Sequence, residues 1–309
     1  MTTDGPLPTG QRFRERALAF DCRGERLPGI LTLPENPAGP AVLIVVGGPQ
    51  YRVGSHRQFV HLARHLARRG VASLRFDVRG MGDGSGQMRG FEALEADIAA
   101  ATHALSGALP DLPGVVIWGL CDGASAACLY VAQDPRIRGL VLANPWVRSE
   151  RSEAATYIRH YYLQRLLNPE FWRKLARGGL DWRDSLGSLA GFLRRLRSRP
   201  QDATAAAAAL PYPQRMAAGL AAFGGDVLLL LSGQDLTARE FSDHAASDPH
   251  WQAALGKCRV SRETLADANH TFSSREWRDQ VARLTGQWLA ALPPSAMQPA
   301  NPLAETPAT

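Results

Sequence analysis

The sequence predicts an α/β protein built on a mostly parallel eight-stranded sheet, with a helical insertion after the sixth strand. Three observations predict it. Short apolar runs alternate with helix-period segments from Ala41 to Ala143, as a parallel sheet requires. The alternation stops at Val147, stays helical to Pro211, and resumes at Asp226. A G-x-C-x-G turn, Gly119-Leu120-Cys121-Asp122-Gly123, follows directly on the apolar run Val115-Val116-Ile117.

Arg14 to Phe20 and Gly29 to Leu33 read as two strands joined through Arg23-Gly24-Glu25, a hairpin by their alternation and turn residues. Ala41 to Val46 is continuously apolar, which marks a strand buried on both faces. It runs into Gly47-Gly48-Pro49. A helix is predicted from about His56 to Arg69, with Phe59, Leu62, Ala63 and Leu66 on one face, then a strand from Val71 to Phe76. After Asp77-Val78-Arg79-Gly80-Met81-Gly82 comes a helix from about Phe91 to Leu105, the strand at Val115, a helix carrying Ala124, Ala127, Cys128 and Val131, and a strand from Gly139 to Ala143. Asp226 to Leu231 and Arg259 to Leu265 are the last strands. A helix from about Ser274 to Leu292 closes the pattern. The proline-rich end beyond it has too few hydrophobic anchors to pack, and disorder is expected there.

Composition narrows the function classes. With 45% hydrophobic residues in 309, the chain can bury a sizeable core. No stretch approaches the roughly 18 apolar residues of a membrane span, and the polar start lacks a signal-peptide core; a cytoplasmic location is expected. The four cysteines, Cys22, Cys121, Cys128 and Cys258, have neither metal-ligand spacing nor the density of a disulfide scaffold. No metal and no cofactor is expected. The net charge of +6 is uneven: eleven arginines and Lys174 against five acids put +7 between Arg148 and Arg199. Such a segment suits an anionic substrate or surface, or a solvated helix face. No nucleic-acid module accompanies it.

The turn at Cys121 carries chemistry. A strand that bends sharply into a helix leaves no room for a Cβ beside the central residue, and Gly119 and Gly123 meet that demand. The side chain of Cys121 then stands above the sheet at a helix N-terminus, whose dipole favours a thiolate. Asp122 beside it opposes one. Ser125 offers a rival frame, Gly123-Ala124-Ser125-Ala126-Ala127, but lies a turn inside the helix. The bland reading of Cys121 is a small buried core residue, but the strand, turn and helix around it and the partners downstream favour the catalytic one.

A thiol nucleophile needs a base and a group that orients the base. Asp235 follows the apolar run Leu228 to Leu231, and His270 lies in the loop after Leu265; they are the candidate acid and base, although Asp235 would serve as well as a helix N-cap. His244, His250, His61 and His65 lie in polar helical stretches. His56 is a minor candidate near the pocket. The oxyanion donors expected are the N–H of Asp122 and of Gly48, with Gln50 second, since Pro49 has no N–H. Gln50, His56 and Tyr161 are candidate substrate contacts.

The elbow, the Asp-x-Arg-Gly-x-Gly loop at Asp77 and the order nucleophile, acid, base together resemble the α/β-hydrolase fold. Three longer stretches narrow the likeness: Gly47-Gly48-Pro49-Gln50-Tyr51-Arg52-Val53-Gly54-Ser55-His56-Arg57-Gln58-Phe59, Gly119 to Ala127, and Arg159-His160-Tyr161-Tyr162-Leu163. They are similar to exosortase A system-associated hydrolase 1. The resemblance implies a bacterial enzyme encoded near protein-sorting and exopolysaccharide genes, with no substrate established for the family. The pattern of the chain itself divides it into a hydrolase core over residues 10–146 and 212–292, a helical lid over 147–211 and a disordered tail over 293–309. The residues support hydrolysis of an ester or thioester, on a small or carrier-bound acyl substrate that the basic segment would favour if anionic. Acyl transfer to a glycan or carrier uses the same triad, and a binding protein on the same fold is the alternative of a different class.

Overall fold

The computed structural model describes residues 10–48, 50–147 and 210–293. The expected lid, except its end residues, the candidate Tyr161, and all of the tail but Pro293 lie outside the described residues.

β1 (Phe13–Cys22) and β2 (Glu25–Pro34) form an antiparallel hairpin, longer at both ends than the apolar pattern indicated. Arg23 and Gly24 both have positive φ, 56° and 80°, the conformation that a two-residue turn needs to match the strand twist. β3 (Ala41–Val45), β4 (Ser73–Phe76), β5 (Val115–Leu120), β6 (Ile137–Ala143), β7 (Asp226–Ser232) and β8 (Arg259–Leu265) complete one sheet of order β1-β2-β4-β3-β5-β6-β7-β8. β2 pairs antiparallel with β4, and every pairing from β4–β3 to β7–β8 is parallel. β3 and β5 are buried at every residue, because helices cover both faces there. β8 is an edge strand, exposed from Arg259 to Thr264, and its polar residues suit an edge that must not pair with a stranger.

Seven helices flank the sheet among the described residues: α1 (Gln58–Ala67), α2 (Glu95–Ala108), α3 (Asp122–Tyr130), α4 (Tyr212–Phe223), α5 (Leu236–Ser247), α6 (Pro249–Lys257) and α7 (Arg275–Ala291). The helix expected from His56 begins only at Gln58, because His56 and Arg57 have φ of 53° and 59° and form a separate short turn. The predicted helix at Phe91 likewise opens with a 3-10 turn, and α2 starts at Glu95. α4 begins where the insertion was expected to end, with proline in its first turn, where the missing N–H costs nothing.

α1 packs on α7 on one face of the sheet, and α2, α3 and α4 adjoin one another on the other. Trp118 of β5 ties the first layer together: its ring meets Phe59 of α1 edge to face at 5.7 Å, and its Nε1–H donates to Thr285 Oγ1 of α7 at 3.3 Å. Fully burying each large side chain of this kind contributes about 1.5–3 kcal/mol.

One buried ion pair fastens the loop after β4 to α2. Arg79 donates from Nε to Asp97 Oδ1 at 3.0 Å and from Nη2 to Oδ2 at 2.6 Å, and its backbone N–H donates to Oδ1 at 2.9 Å. Both side chains are buried. Asp97→Ala leaves a guanidinium without its counter-charge, and the expected loss is about 3–5 kcal/mol, read from equilibrium urea unfolding; a midpoint equal to wild type would refute it.

Candidate active site

The carboxyl ends of β3 and β5 meet the start of α3 at van der Waals limits. A Cβ on Gly47 would collide with Leu120 O and Gly123 N, one on Gly119 with Ala124 N, and one on Gly123 with Val45 O. Only glycine fits at these three places. The crowding forces Cys121 into φ 55°, ψ −120°, a sparsely populated region that costs about 1–3 kcal/mol unless its surroundings hold it. The backbone holds it: Cys121 N–H donates to Ala143 O at 2.9 Å, and Cys121 O accepts from Ala124 N at 3.0 Å. The thiol is left partly buried above the sheet at the first turn of α3.

Asp235 and His270 come together as the chain order predicts. Asp235 caps α5, with Oδ1 accepting from Thr237 N and Oδ2 from Ala238 N, both at 3.2 Å. Oδ2 also lies 2.7 Å from His270 Nδ1. The cap and the histidine partner, which the sequence presents as alternatives, are one carboxylate serving both. The cap fixes its orientation and so aims the ring, leaving Nε2 on the far side.

Two residues that the sequence reading did not single out build this arrangement. Asn144, with φ 44°, stands at the end of β6 and is fully buried. Its Nδ2 donates to Ser232 Oγ and to His270 O, both at 2.9 Å, and its Oδ1 accepts from Ser232 N at 2.8 Å. Ser232 Oγ donates to Asn269 O at 2.9 Å. The ends of β6 and β7 are thus clamped to the loop that carries His270. The signal available was an asparagine directly after a buried strand, a residue type that accepts positive φ.

The loop after β3 is held from the side. Arg52 N–H donates to Asp77 Oδ1 at 2.6 Å, its guanidinium pairs with Asp77 and lies 2.8 Å from Asp83 Oδ2, and Asp83 N–H donates to Asp77 Oδ2 at 3.0 Å. Gln50 turns inward on this loop, its Oε1 accepting from Ser55 N at 3.3 Å. His56 has an exposed side chain, and its carbonyl accepts from Arg278 Nη1 at 2.7 Å.

Electrostatics at the elbow differ from the dipole expectation. Burial pushes the Cys121 thiol up to about 12, the Asp122 carboxylate adds to the rise, and the Asp122 N–H opposes it. Desolvation of a thiolate outweighs the helix end. Burial also raises the Asp122 carboxyl, against the Gly48 amide, the Cys121 thiol and His270, which favour its ionised form. Cys121 Sγ has a long contact of 3.9 Å to Asp122 Oδ1.

Other candidates have structural occupations. Ser125 is fully buried, and its hydroxyl donates to Trp146 O at 2.7 Å and accepts from Trp146 N at 3.0 Å. His65 is pushed down to about 4 by burial and bonds Arg69; His244 packs against Trp251. His61 and His250 are exposed on α1 and α6. An apolar-lined cavity of about 360 Å³ bordered by Gln11, Arg69, Arg138 and Leu289 lies at the opposite, amino ends of the strands. All four cysteines are free. Among the described residues no group of side chains could hold a metal, and no helix is long and apolar enough to cross a membrane.

The comparisons with known proteins agree with this scaffold. The family described as serine aminopeptidase, S33, matches residues 41–183, a span that holds the elbow but not Asp235 or His270. An uncharacterized protein of Pseudomonas aeruginosa is 30% identical over 145 residues, 45% of this chain; the match spans 38% of that relative's length. An esterase from Pyrococcus furiosus superposes with a TM-score of 0.61 at 15% identity, covering 90% of this chain and 91% of that one. A dienelactone hydrolase from Anabaena variabilis gives 0.57 at 16%, covering 90% and 97%. Est1E from Butyrivibrio proteoclasticus, with ferulic acid bound, gives 0.58 at 17%, covering 89% and 99%. The chain has the α/β-hydrolase fold. The matched family's description names a serine, whereas this elbow carries cysteine.

Asn144→Ala removes three hydrogen bonds and leaves Ser232 N–H unpaired in the interior. The expected destabilisation is about 2–3 kcal/mol, with amide exchange in the 266–272 loop faster than elsewhere in the sheet. Protection of that loop equal to wild type would show that His270 is held by other contacts.

Proposed function

We propose that this chain hydrolyses an ester or thioester through Cys121, His270 and Asp235. The observation that carries the reading is the 2.7 Å pair between Asp235 Oδ2 and His270 Nδ1, aimed by a helix cap, in the chain order that follows an elbow nucleophile. Cys121 Sγ attacks the acyl carbon, and its proton passes to His270 Nε2. The carbonyl electrons move onto oxygen, beside the N–H groups of Asp122 and Gly48. When the tetrahedral intermediate collapses, the leaving group departs with the proton from His270. Water, deprotonated by the same ring, then attacks the thioester and restores the thiol.

A thiol that is neutral in the free protein suits this route, since proton transfer and attack occur together and no stored thiolate is required. Thioesters and activated esters, with good leaving groups, fit a sulfur nucleophile best. The basic segment between Arg148 and Arg199 supports an anionic or carrier-bound acyl substrate, and the likeness to exosortase-associated hydrolases supports a role beside exopolysaccharide synthesis in the cytoplasm. Transfer of the acyl group to a glycan hydroxyl is the second reading, because the acyl-enzyme is common to both.

Cys121→Ala is expected to lower kcat/KM for a p-nitrophenyl ester or acyl thioester by at least about a thousandfold, and His270→Ala to a similar degree, as for residues acting as one unit. Ser125→Ala is expected to retain activity within a few-fold. Full activity in Cys121→Ala, or loss only in Ser125→Ala, would overturn the assignment.

A further inference from the structure

The cavity of about 360 Å³ lies at the end of the sheet away from Cys121, where β3, β5, β6 and β7 begin. Ala38 and Pro40 before β3, Val71 before β4, Pro113 before β5, and Leu289 and Leu292 at the end of α7 give it apolar walls. Its volume falls in the range in which proteins enclose small ligands, ~300–1,000 Å³. Three charged side chains border it: Arg69, Arg138 and Asp226.

Two of these charges are positive, and the negative one is already engaged. Asp226 Oδ1 accepts from Arg259 Nε at 2.7 Å, and Oδ2 accepts from Arg259 Nη2 at 2.6 Å. Arg69 has no carboxylate within ion-pair distance among the described residues; its side-chain partner is His65, from Nη1 to Nε2. Burial first, and the Arg69 charge second, push His65 down to about 4. The ring is therefore neutral near pH 7 and offers a lone pair without a counter-charge. Glu276 and Asp279 line the adjoining hollow on α7, where Asp279 pairs with Arg275 at 3.6 Å. Burial also lowers the Arg69 guanidinium, as for a cation that loses water without gaining an anion.

The backbone makes room for both arginines. Gly286 lies inside α7, and a Cβ there would stand 3.3 Å from Arg69 Cδ. Glycine inside a helix is destabilising relative to alanine, so its place here has a packing reason: the Arg69 stem lies against the helix at that point. Arg138 likewise crosses Gly114, where a Cβ would meet its Cγ at 2.5 Å.

We propose that this cavity is a second ligand site for an amphipathic monoanion, a carboxylate on a small apolar body such as a medium-chain fatty acid, with its head at Arg69 and its chain along Val71, Leu289 and Leu292. The site is separate from the reaction proposed above and does not depend on Cys121 as nucleophile. Apolar walls alone accept any small hydrocarbon. The guanidinium selects the head, because a partly buried cation beside a second one gains most from an anion, and a carboxylate accepts two parallel bonds from it. Inorganic phosphate would meet the arginines and leave the walls wet, whereas a neutral alcohol would cover the walls and leave the charge unanswered.

The test is titration calorimetry of octanoate against the full-length protein, with 1-octanol and inorganic phosphate as comparators. Octanoate is expected to bind at least about tenfold more tightly than either, the worth of one charge-assisted contact, and to weaken as salt rises. Arg69→Gln is expected to weaken octanoate about tenfold and to leave 1-octanol unchanged. Gly286→Leu, which puts a side chain against Arg69 at the cavity wall, is expected to remove the binding of both; should it fail to fold, Arg69→Gln carries the test alone. Equal octanoate affinity in wild type and Arg69→Gln overturns the proposal. So does failure of the wild-type protein to bind octanoate, the result expected if the chain beyond Pro293 fills the cavity. Binding lost on alkylation of Cys121 but untouched by Arg69→Gln would place the acid in the catalytic cleft, and overturns it as well.

Discussion

The close approach of three backbones at the carboxyl end of the sheet is the constraint on which this site depends. The ends of β3 and β5 and the first turn of α3 are so near that Gly47, Gly119 and Gly123 admit no side chain. That contact places Cys121 in its strained conformation. A protein interior is packed like a crystal, so the strain at Cys121 cannot relax without displacing β3. The cost of the turn is therefore spread over the whole parallel sheet, whose apolar strands supply the stabilisation.

Buried polar groups do the rest of the positioning. Asn144 and Ser232 join the ends of β6 and β7 to the His270 loop, Arg52 and Asp77 hold the loop after β3, and Arg79 and Asp97 hold the loop after β4. Each ties a loop that has little apolar surface of its own to a strand end or, for Arg79 and Asp97, to α2. Loops carry the reacting groups in this architecture, and directional bonds fix them where hydrophobic burial, being non-directional, cannot.

The electrostatic balance at the elbow shows why a motif does not specify its own chemistry. A helix N-terminus lowers a thiol's pKa when the thiol is wet, yet Cys121 is partly buried with a carboxylate next to it, and those two effects win. A fully hydrated thiol on the same helix end, with no carboxylate beside it, would favour the thiolate. The difference lies in solvent access, a property of the packed surroundings, and it favours attack coupled to proton transfer.

The continuous apolar runs of β3, β5, β6 and β7, the spacing of glycines about Cys121 and the order of Cys121, Asp235 and His270 were all legible in the sequence, because strand burial, sharp turns and chain order leave marks on residue type. The interruption at His56 and Arg57 was not, since a positive φ at two non-glycine residues has no sequence signature. Asp235 as both cap and histidine partner, the spending of Ser125 on Trp146, and the Asn144 clamp required the fold. Each is a choice among hydrogen-bond partners far apart in the chain, and only tertiary packing decides which polar groups share one buried space. The sequence by itself determined the architecture and the candidate reacting atoms; the tertiary structure decided the protonation of the Cys121 thiol, the partners of Asp235 and His270 and which side chains face one another, because those depend on desolvation and distance.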